Sequence, residues 1–355
     1  MGIESTKSGF AGVRGQAVAI TQLERALDRD QLHHTLLFVG PRGVGKARTA
    51  RALARALHCE VAPRRGCGEC TTCRRINTDR HAGLEWIVPE GAGGSIKAEV
   101  TRELASRLLL APFEGDHHIV VFDPAEALDD RAMSVLLKTL EEPRPGVYFV
   151  LVATSLDGIL PTILSRCAVV RFGRLGDDDV GAVLDHALTS QPDVEVPEAR
   201  RLLAIRLADG SPGVAIELAL DASIDATHAL LREAASAALR GPAAIFDGKA
   251  SPLSVSFAEA TEGPDNGRPS RERQAVMRTS ELWLLDLRER LRGRDGVPEI
   301  EGIATDKRTL VRATDTLVEL QARLARNSNA RLALEAALLE IWERRAAAGR
   351  DDART

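Results

Sequence analysis

The sequence predicts an α/β protein, in which a doubly wound parallel sheet of the P-loop type is followed by an all-helical region. Three observations lead to this prediction. An apolar segment at 35–39 ends in a glycine-rich turn, strand-like and helix-like segments alternate from there to Gly173, and no strand pattern follows. Strands that alternate with crossover helices are typical of parallel sheets covered by helices.

The glycine-rich turn after the first predicted strand is typical of a phosphate-binding loop. Gly40, Gly43 and Gly45 precede Lys46, and a helix is predicted over 47–58. Glycines let backbone N–H groups face phosphates, the helix N-terminus adds its positive end, and the lysine would reach the β/γ-phosphates. A working motif continues with Ser or Thr, whose hydroxyl binds Mg²⁺. Because Ala47 has no hydroxyl, we expect ATP binding to be weak or absent.

Four of the five cysteines follow this helix with the spacing C-x7-C-x2-C-x2-C: Cys59, Cys67, Cys70 and Cys73. Four thiolates so close in sequence suit a tetrahedral Zn²⁺ ion with no position left open for water, so we predict a structural zinc site. A cytosolic setting weighs against disulfides. We expect Cys167 to stay outside the site. The alternative is that the four cysteines are incidental small hydrophobic residues.

The other elements of the α/β region are predicted from periodicity. An amphipathic helix with Val18, Leu23 and Leu27 on one side precedes the first strand, and residues 1–9 are expected to be disordered. Further strands are predicted at 84–88, 119–123, 147–152 and 169–172, with helices at 97–110 and 129–141. These elements complete an α/β domain over residues 1–173, with the zinc module at 59–73.

Helical patterns fill the rest of the chain. We predict three short helices in a lid at 174–222, a helical collar at 223–345 with a Gly/Pro/Ser-rich loop at 241–270, and a disordered tail at 346–355. The last helices carry the apolar stripes Leu317, Leu320, Leu324, Leu334, Leu338, Ile341 and Trp342. We expect these stripes to exceed what one small bundle can bury, so the collar is predicted to be the main oligomerisation surface.

Composition and charge limit the classes of function. A net charge of −4 argues against nucleic-acid affinity over the whole surface, though not against a local basic face. No apolar run reaches the roughly 20 residues that span a bilayer, and the first residues do not resemble a signal peptide. We therefore expect a cytoplasmic protein that does not enter a membrane.

Asp123 ends the predicted strand at 119–123, where P-loop NTPases keep an aspartate that serves their magnesium ion. The acid that would polarise the attacking water normally follows it, but here the next residue is Pro124. Glu126 is expected to lie on the wrong side of the turn to replace that acid. The alternative for Asp123 is a helix-capping role.

Taken together, the motifs resemble the clamp-loader family of AAA+ proteins. The matching residues are Gly15-Gln16, His34, Gly40 to Lys46, the four cysteines, Leu136 to Pro143, Leu160 to Cys167, Asn327, Asn329, Arg331, Leu332 and Glu335. They extend over nearly the whole chain. The Ser-Arg-Cys signature at 165–167 and the four-cysteine insertion are highly specific in combination.

The resemblance implies roles for individual residues. Arg166 corresponds to the arginine finger that points into the ATP site of a neighbouring subunit, and Thr154 occupies the sensor position after the fourth strand. A second sensor, an arginine in the motor subunits, is expected near Gly213, where there is none. Gly40, Gly43, Gly45, Lys46, Asp123 and Thr154 would then form a vestigial nucleotide site. The alternative for Arg166 is a surface ion pair with a carboxylate.

Two functional interpretations stay open. The first is a non-catalytic subunit of the replicative clamp loader, which lends Arg166 to a neighbour and works with tau/gamma and delta subunits, the sliding clamp and primed DNA. The second is an ATP-hydrolysing tau/gamma-type motor or another AAA+ ATPase. A DNA-reading zinc finger is a weaker third interpretation, because the histidines and the recognition helix of that class are missing. We expect weak DNA contacts from the helix near Lys97 and Arg102.

Overall fold

The structure, a computed structural model, describes residues 9–89, 94–108, 116–141, 143–191, 194–221, 223–248, 251–262, 268–293, 300, 306–326 and 328–352. The chain divides into two compact units. Unit 1 comprises Met1–Gln191 and Ala208–Ala215, and unit 2 comprises Pro192–Leu207 and Ile216–Thr355.

Unit 1 contains a five-stranded sheet in the order β2-β3-β4-β1-β5, and every strand pair in it is parallel. Its strands are β1 (Thr35–Val39), β2 (Leu84–Ile87), β3 (His118–Phe122), β4 (Val147–Ala153) and β5 (Ala168–Arg171). All five residues of β1 are buried, which explains why its sequence is a continuous apolar run instead of an alternating one. The predicted α/β fold class is therefore confirmed.

The helices of unit 1 connect and cover these strands. They are α1 (Ala17–Asp28), α2 (Lys46–His58), α3 (Thr71–Asn77), α4 (Ala98–Leu108), α5 (Asp130–Glu141), α6 (Pro161–Leu164) and α7 (Asp177–Thr189). The predicted elements are present with ends shifted by one or two residues, although residues 109–110 lie outside the described part. The prediction for α1 is wrong at Val18, which is 81% exposed, because the helical period places Ala19, Leu23 and Leu27 on the buried face.

Unit 2 consists of helices in its described residues. They are α8 (Glu198–Leu207), most of α9 (Pro212–Leu220), α10 (Ser223–Arg240), α11 (Pro242–Ile245), α12 (Pro252–Ala260), α13 (Arg268–Leu291), α14 (Lys307–Ala325) and α15 (Ala330–Asp352). The prediction of three short helices between 176 and 221 is confirmed by α7, α8 and α9.

The loop predicted at 241–270 is wrong for most of its described residues. Helices α11 and α12 occupy this stretch. The Gly, Pro and Ser residues that indicated a loop stand at the N-termini of these helices. Ser251 caps α12 by accepting a hydrogen bond from the backbone N–H of Ser254, and Pro252 stands at the first helical position. Residues 249–250 and 263–267 lie outside the described residues.

The prediction of a disordered tail at 346–355 is also wrong as far as residue 352. Helix α15 continues to Asp352, consistent with the strong helix preference of the alanines at 346–348, and residues 353–355 lie outside the described part. The first eight residues, which were predicted to be disordered, lie outside it as well.

The apolar stripes of the last two helices form the core of unit 2. Leu317, Leu324 and Leu338 are fully buried there, together with Leu320, Leu334 and Ile341, around the buried ring of Trp283. The bundle buries these stripes apart from Trp342, which is only partly buried, so the reason given for an oligomerisation surface is wrong. The domain boundaries after residues 173 and 222 stay a prediction.

No helix among the described residues has the length and apolar character that a membrane span would need.

Candidate functional site

The phosphate-binding loop follows β1 and ends where α2 begins. Gly43 and Gly45 have φ values of +74° and +106°, in the left-handed region that side chains disfavour. Helix α2 starts at Lys46, and the backbone N–H of Thr49 donates to the carbonyl oxygen of Gly45 at 2.9 Å. The glycines at these two positions are therefore required by the turn itself, and the helix N-terminus points toward the loop.

Lys46 is turned back onto its own loop. Its Nζ donates to the carbonyl oxygens of Gly40 and Pro41 at 2.5 and 2.6 Å, and only 6% of the residue is exposed. Burial lowers the pKa of the ammonium group, an effect that the carboxylates of Asp123 and Glu126 oppose. In this arrangement the lysine holds the loop together, and a phosphate would have to compete with two carbonyl oxygens for it.

Asp123 and Thr154 lie at the carboxyl ends of β3 and β4, which are neighbours in the sheet. Burial raises the pKa of Asp123, against the opposing charges of Lys46 and Arg51. Asp123, Lys46 and Thr154 therefore lie where the sequence predicts, at the end of the sheet that carries the loop.

Glu126 joins this group, so the prediction that it lies on the wrong side of the turn is wrong. A 3₁₀ turn over Ala125–Ala127 directs its carboxylate to the end of β4. There Oε1 accepts hydrogen bonds from the hydroxyl of Thr154 at 2.7 Å and from the backbone N–H of Thr154. The other oxygen, Oε2, is buried without a hydrogen-bond partner among the described residues. The sequence signal was its position three residues after Asp123.

The segment that contains the expected second sensor lies directly on the phosphate loop. The backbone N–H of Gly213 donates to the carbonyl oxygen of Gly43 at 2.9 Å, and the hydroxyl of Ser211 donates to that of Arg42 at 2.7 Å. A Cβ at Gly213 would stand 2.8 Å from the Cα of Gly43. This position therefore carries no cation and leaves no room for a side chain. Sequence reasoning did not anticipate the contact.

The four cysteines of the predicted zinc module come together in unit 1. Their Sγ atoms all lie within 4.8 Å of one another, with 4.0 Å between Cys59 and Cys70 and 3.9 Å between Cys67 and Cys73. Tetrahedral Zn²⁺ with bonds of about 2.3 Å would place sulfur atoms roughly 3.8 Å apart. All five cysteines are free thiols, and Cys167 is not part of the group. The cluster can hold a metal ion.

Backbone N–H groups point at the sulfur atoms of this cluster. The Sγ of Cys59 accepts from Ala62 and Cys67 at 3.3 Å, and that of Cys67 accepts from Cys70 at 3.3 Å. Hydrogen bonds from backbone N–H groups, that of Cys70 first, lower the pKa of Cys67 to about 6, whereas burial raises the pKa values of Cys70 and Cys73. These donors suit thiolates, so the residues present fit a structural zinc ion.

Two arginines of α2 join this helix to the chain beyond the cysteines. Arg51 forms two hydrogen bonds with the carboxylate of Asp79 at 2.9 and 2.8 Å and stacks 4.5 Å from the ring centre of Trp86. Arg55 donates to the side chain of Asn77 at 2.6 Å. The helix that starts at Lys46 is thus tied to the segment after the zinc module by one ion pair and one hydrogen bond, which the spacing alone did not reveal.

Arg166 lies between α6 and β5, with its side chain partly exposed. Its Nη2 lies 2.6 Å from Oε1 of Glu141, and its Nη1 donates to the carbonyl oxygen of Thr162 at 2.9 Å and to the hydroxyl of Ser165 at 3.2 Å. The alternative considered from the sequence, a pair with a surface carboxylate, is present in this structure. The two interpretations are compatible, since a paired arginine can still bind a phosphate through its other N–H groups.

Lys97 and Arg102, the residues predicted to contact DNA, are exposed at and near the start of α4. Arg102 pairs with Glu99 one turn earlier at 3.1 Å, which partly neutralises the basic character of this helix. Among the other residues matched by resemblance, Asn327 lies outside the described part, whereas Asn329 accepts a hydrogen bond from the backbone N–H of Leu332 at the start of α15.

Comparisons with known proteins relate the N-terminal part of the chain to DNA polymerase III subunits. Residues 15–176 match a protein family described as DNA polymerase III, delta subunit. The tau subunit of Salmonella typhimurium is 36% identical over 231 residues, which is 65% of this chain and 35% of that protein. The gamma subunit of Buchnera aphidicola subsp. Schizaphis graminum is 30% identical over 210 residues, 59% of this chain and 57% of that protein. The chain thus spans less than two thirds of the length of both relatives.

Two solved structures from Thermotoga maritima are also similar. A protein related to the gamma subunit of DNA polymerase III aligns over 92% of this chain and 99% of its own length, with a TM-score of 0.48 and 14% sequence identity. The Holliday junction branch migration motor RuvB aligns over 75% of both chains, with a TM-score of 0.41 and 15% identity.

Proposed function

From the premise that this chain is related to the tau, gamma and delta subunits of DNA polymerase III, we propose that it is a non-catalytic, delta-prime-type subunit of the replicative clamp loader. In this role it helps to load the sliding clamp onto primed DNA. It does so as one member of a hetero-oligomer and supplies Arg166 in trans to the ATP site of a neighbouring subunit.

One observation carries the proposal: the parts of an ATPase that act in cis are missing or occupied, whereas the part that acts in trans is at the surface. Ala47 offers no hydroxyl to Mg²⁺, Pro124 replaces the acid after Asp123, and Lys46 is bonded to its own loop. Phosphoryl transfer depends on these groups. Arg166 remains partly exposed.

In the proposed subunit, nucleotide at the loop of residues 40–46 is bound weakly or not at all. Gly40, Gly43, Gly45, Lys46, Asp123 and Thr154 keep the outline of a nucleotide site. The position expected to carry the arginine of a motor subunit is Gly213, which packs against Gly43, so the site lacks that arginine.

Zinc has a structural role in this proposal. Cys59, Cys67, Cys70 and Cys73 would bind the ion, which would fix the segment after α2 and contribute to folding instead of turnover. The partners are tau/gamma and delta subunits, the sliding clamp, and primed DNA in the assembled complex. By itself the chain would bind DNA weakly at physiological salt, given its net charge of −4.

The proposed architecture is an AAA+ domain at 1–173, a lid at 174–222 and a collar at 223–345 through which the subunit assembles. With the stripes of α14 and α15 buried, the collar proposal rests on the resemblance and on apolar side chains left exposed on α14, such as Val311 and Val318. A complex that assembles normally without residues 223–355 would overturn it.

A motor function is the second candidate, and Glu126 is the observation that favours it. Its carboxylate accepts a hydrogen bond from Thr154 and is near enough to Lys46 for the two charges to interact, and an acid so placed is able to orient water. The relatives named tau and gamma agree with this alternative. Steady-state ATP turnover by the purified chain separates the two functions. The proposal expects background rates for both the unmodified chain and Glu126→Gln, whereas turnover that Glu126→Gln abolishes would establish the motor.

A further inference from the structure

Two sequence motifs contact each other in the structure, and the proposed function assigns a role to only one residue of them, Arg166. The first runs from Leu136 to Pro143 and the second from Leu160 to Cys167. Glu141, the last residue of α5, belongs to the first motif, and Arg166 belongs to the second. Glu141 Oε1 lies 2.6 Å from Nη2 of Arg166, the separation of a close ion pair.

Two more acceptors hold the same guanidinium group. The carbonyl oxygen of Thr162 and the hydroxyl of Ser165 accept hydrogen bonds from Nη1. Thr162 lies within α6, whose turn is fixed by its own backbone, because the N–H of Ser165 donates to the carbonyl oxygen of Pro161 at 3.0 Å. Glu141 is the contact that comes from another element, so it is the one that sets the direction of the side chain across the surface.

The contacts leave part of the guanidinium free to bind a ligand. Arginine has five N–H donors, and the two hydrogen bonds use those on Nη1, whereas Glu141 forms an ion pair with Nη2. The N–H groups on Nε and Nη2 form no hydrogen bond with the residues that the structure describes. Donors in this fork geometry match two oxygens of a phosphate group.

We propose that Glu141 is a positioning residue for Arg166: it holds the guanidinium at the surface with its free N–H groups available to a nucleotide phosphate of the neighbouring subunit. This inference rests on the proposed function, since it specifies how the finger is kept in place. Glu141 acts through Arg166 and does not itself contact nucleotide. A preoriented side chain loses less conformational freedom when the phosphate is bound.

The test uses the reconstituted clamp loader with clamp and primed DNA. The decrease in ATPase activity caused by Arg166→Ala measures the contribution of the ATP site that depends on Arg166, called the dependent site. Glu141→Ala is expected to remove about half or more of that contribution, as a fall in kcat with the KM for ATP little changed. Glu141→Gln, which keeps an acceptor oxygen, is expected to retain more activity than Glu141→Ala.

Two controls separate positioning from a general structural effect. Asp28→Asn removes a matched ion pair, since Asp28 and Arg65 are 2.8 Å apart with side chains 47% and 36% exposed, against 48% and 36% for Glu141 and Arg166. This variant is expected to keep unmodified rates. In the Arg166→Ala background, Glu141→Ala is expected to cause no further loss, because nothing is left for it to position.

The outcomes distinguish this inference from the proposed function. If Arg166→Ala itself leaves ATPase and clamp loading unchanged, the proposed function fails and the inference fails with it. If Arg166→Ala lowers the rates but Glu141→Ala does not, only the inference is wrong. A higher rate with Glu141→Ala would also overturn it, because Glu141 would then be sequestering the finger. Equal additional losses in both backgrounds would reduce Glu141 to a structural residue.

Discussion

The backbone N–H of Gly213 donates to the carbonyl oxygen of Gly43 at 2.9 Å, so the segment expected to carry a second sensor rests on the tip of the phosphate loop. Ser211 adds a hydrogen bond from its hydroxyl to the carbonyl oxygen of Arg42. The contact between Gly213 and Gly43 brings backbone against backbone, where a side chain at position 213 finds no space. The position that has glycine instead of the expected arginine thus forms a close contact that fixes the loop.

This contact predicts that Gly213→Ala destabilises unit 1. The added Cβ would stand 2.8 Å from the Cα of Gly43, and a backbone atom cannot move aside as a flexible side chain can. We expect the free energy of unfolding to fall by about 1–3 kcal/mol in urea titrations, the usual cost of overpacking. Gly173→Ala is the control, because a Cβ there meets nothing within 4 Å and Gly173 is not among the glycines with positive φ. Equal stability of the two variants would contradict the prediction.

The zinc module gives a second prediction. The purified chain should contain one zinc ion per molecule, and Cys70→Ser should lose it, because three sulfur ligands leave the tetrahedral site incomplete. Cys167→Ser should keep it. We expect the melting temperature of Cys70→Ser to fall by at least about 4 °C, since metal binding contributes to folding. Zinc content by atomic absorption checks the first part and calorimetry the second. Full zinc in Cys70→Ser would refute the ligand set.

Cys167 gives a prediction that depends on pH. Burial raises the pKa of its thiol to about 12, so the reactive thiolate is roughly one part in 10⁴ at pH 8. The alkylation rate at Cys167 should therefore rise about tenfold per pH unit between pH 7 and pH 9 and stay far below that of a free thiol in solution. Peptide mass spectrometry after timed iodoacetamide treatment measures this rate. A rate that levels off near pH 8 would show an ordinary thiol.

The features that the sequence predicted correctly are those encoded by residues close together in the chain. The phosphate loop and the cysteine cluster were predicted because turn geometry and ligand spacing are encoded within a few residues. The loop at 241–270 was wrong because Gly, Pro and Ser serve both loops and helix caps, and only tertiary packing separates the two uses. The apolar stripe that includes Leu317 is buried, as a stripe predicts. The pattern alone does not tell whether such a stripe packs against the same chain or against another subunit.

The contacts between distant residues were not predictable in this way. Three such contacts join elements that are separate in sequence: Glu126 with Thr154, Gly213 with Gly43, and Glu141 with Arg166. A strand order in which β4 lies between β3 and β1 brings the first pair together at one end of the sheet. Sequence reasoning identified Arg166 and Thr154 by resemblance, but it gave no information about which carboxylate each would meet.

The last prediction concerns the chemistry of Arg166 in the assembled clamp loader. Arg166→Ala should lower total ATPase partially and slow clamp loading, with assembly intact, because the other ATP sites would keep their own fingers. At the dependent site the loss should be large, since an arginine finger is worth about 10³–10⁵ in rate. Arg166→Lys separates charge from geometry. Lysine keeps the positive charge but lacks the planar fork, so it should restore little of the lost activity. Steady-state ATPase and clamp-loading assays with reconstituted complexes measure both effects. If Arg166→Lys were as active as the unmodified complex, a simple surface charge would explain the residue, and the bidentate contact with phosphate would have to be abandoned.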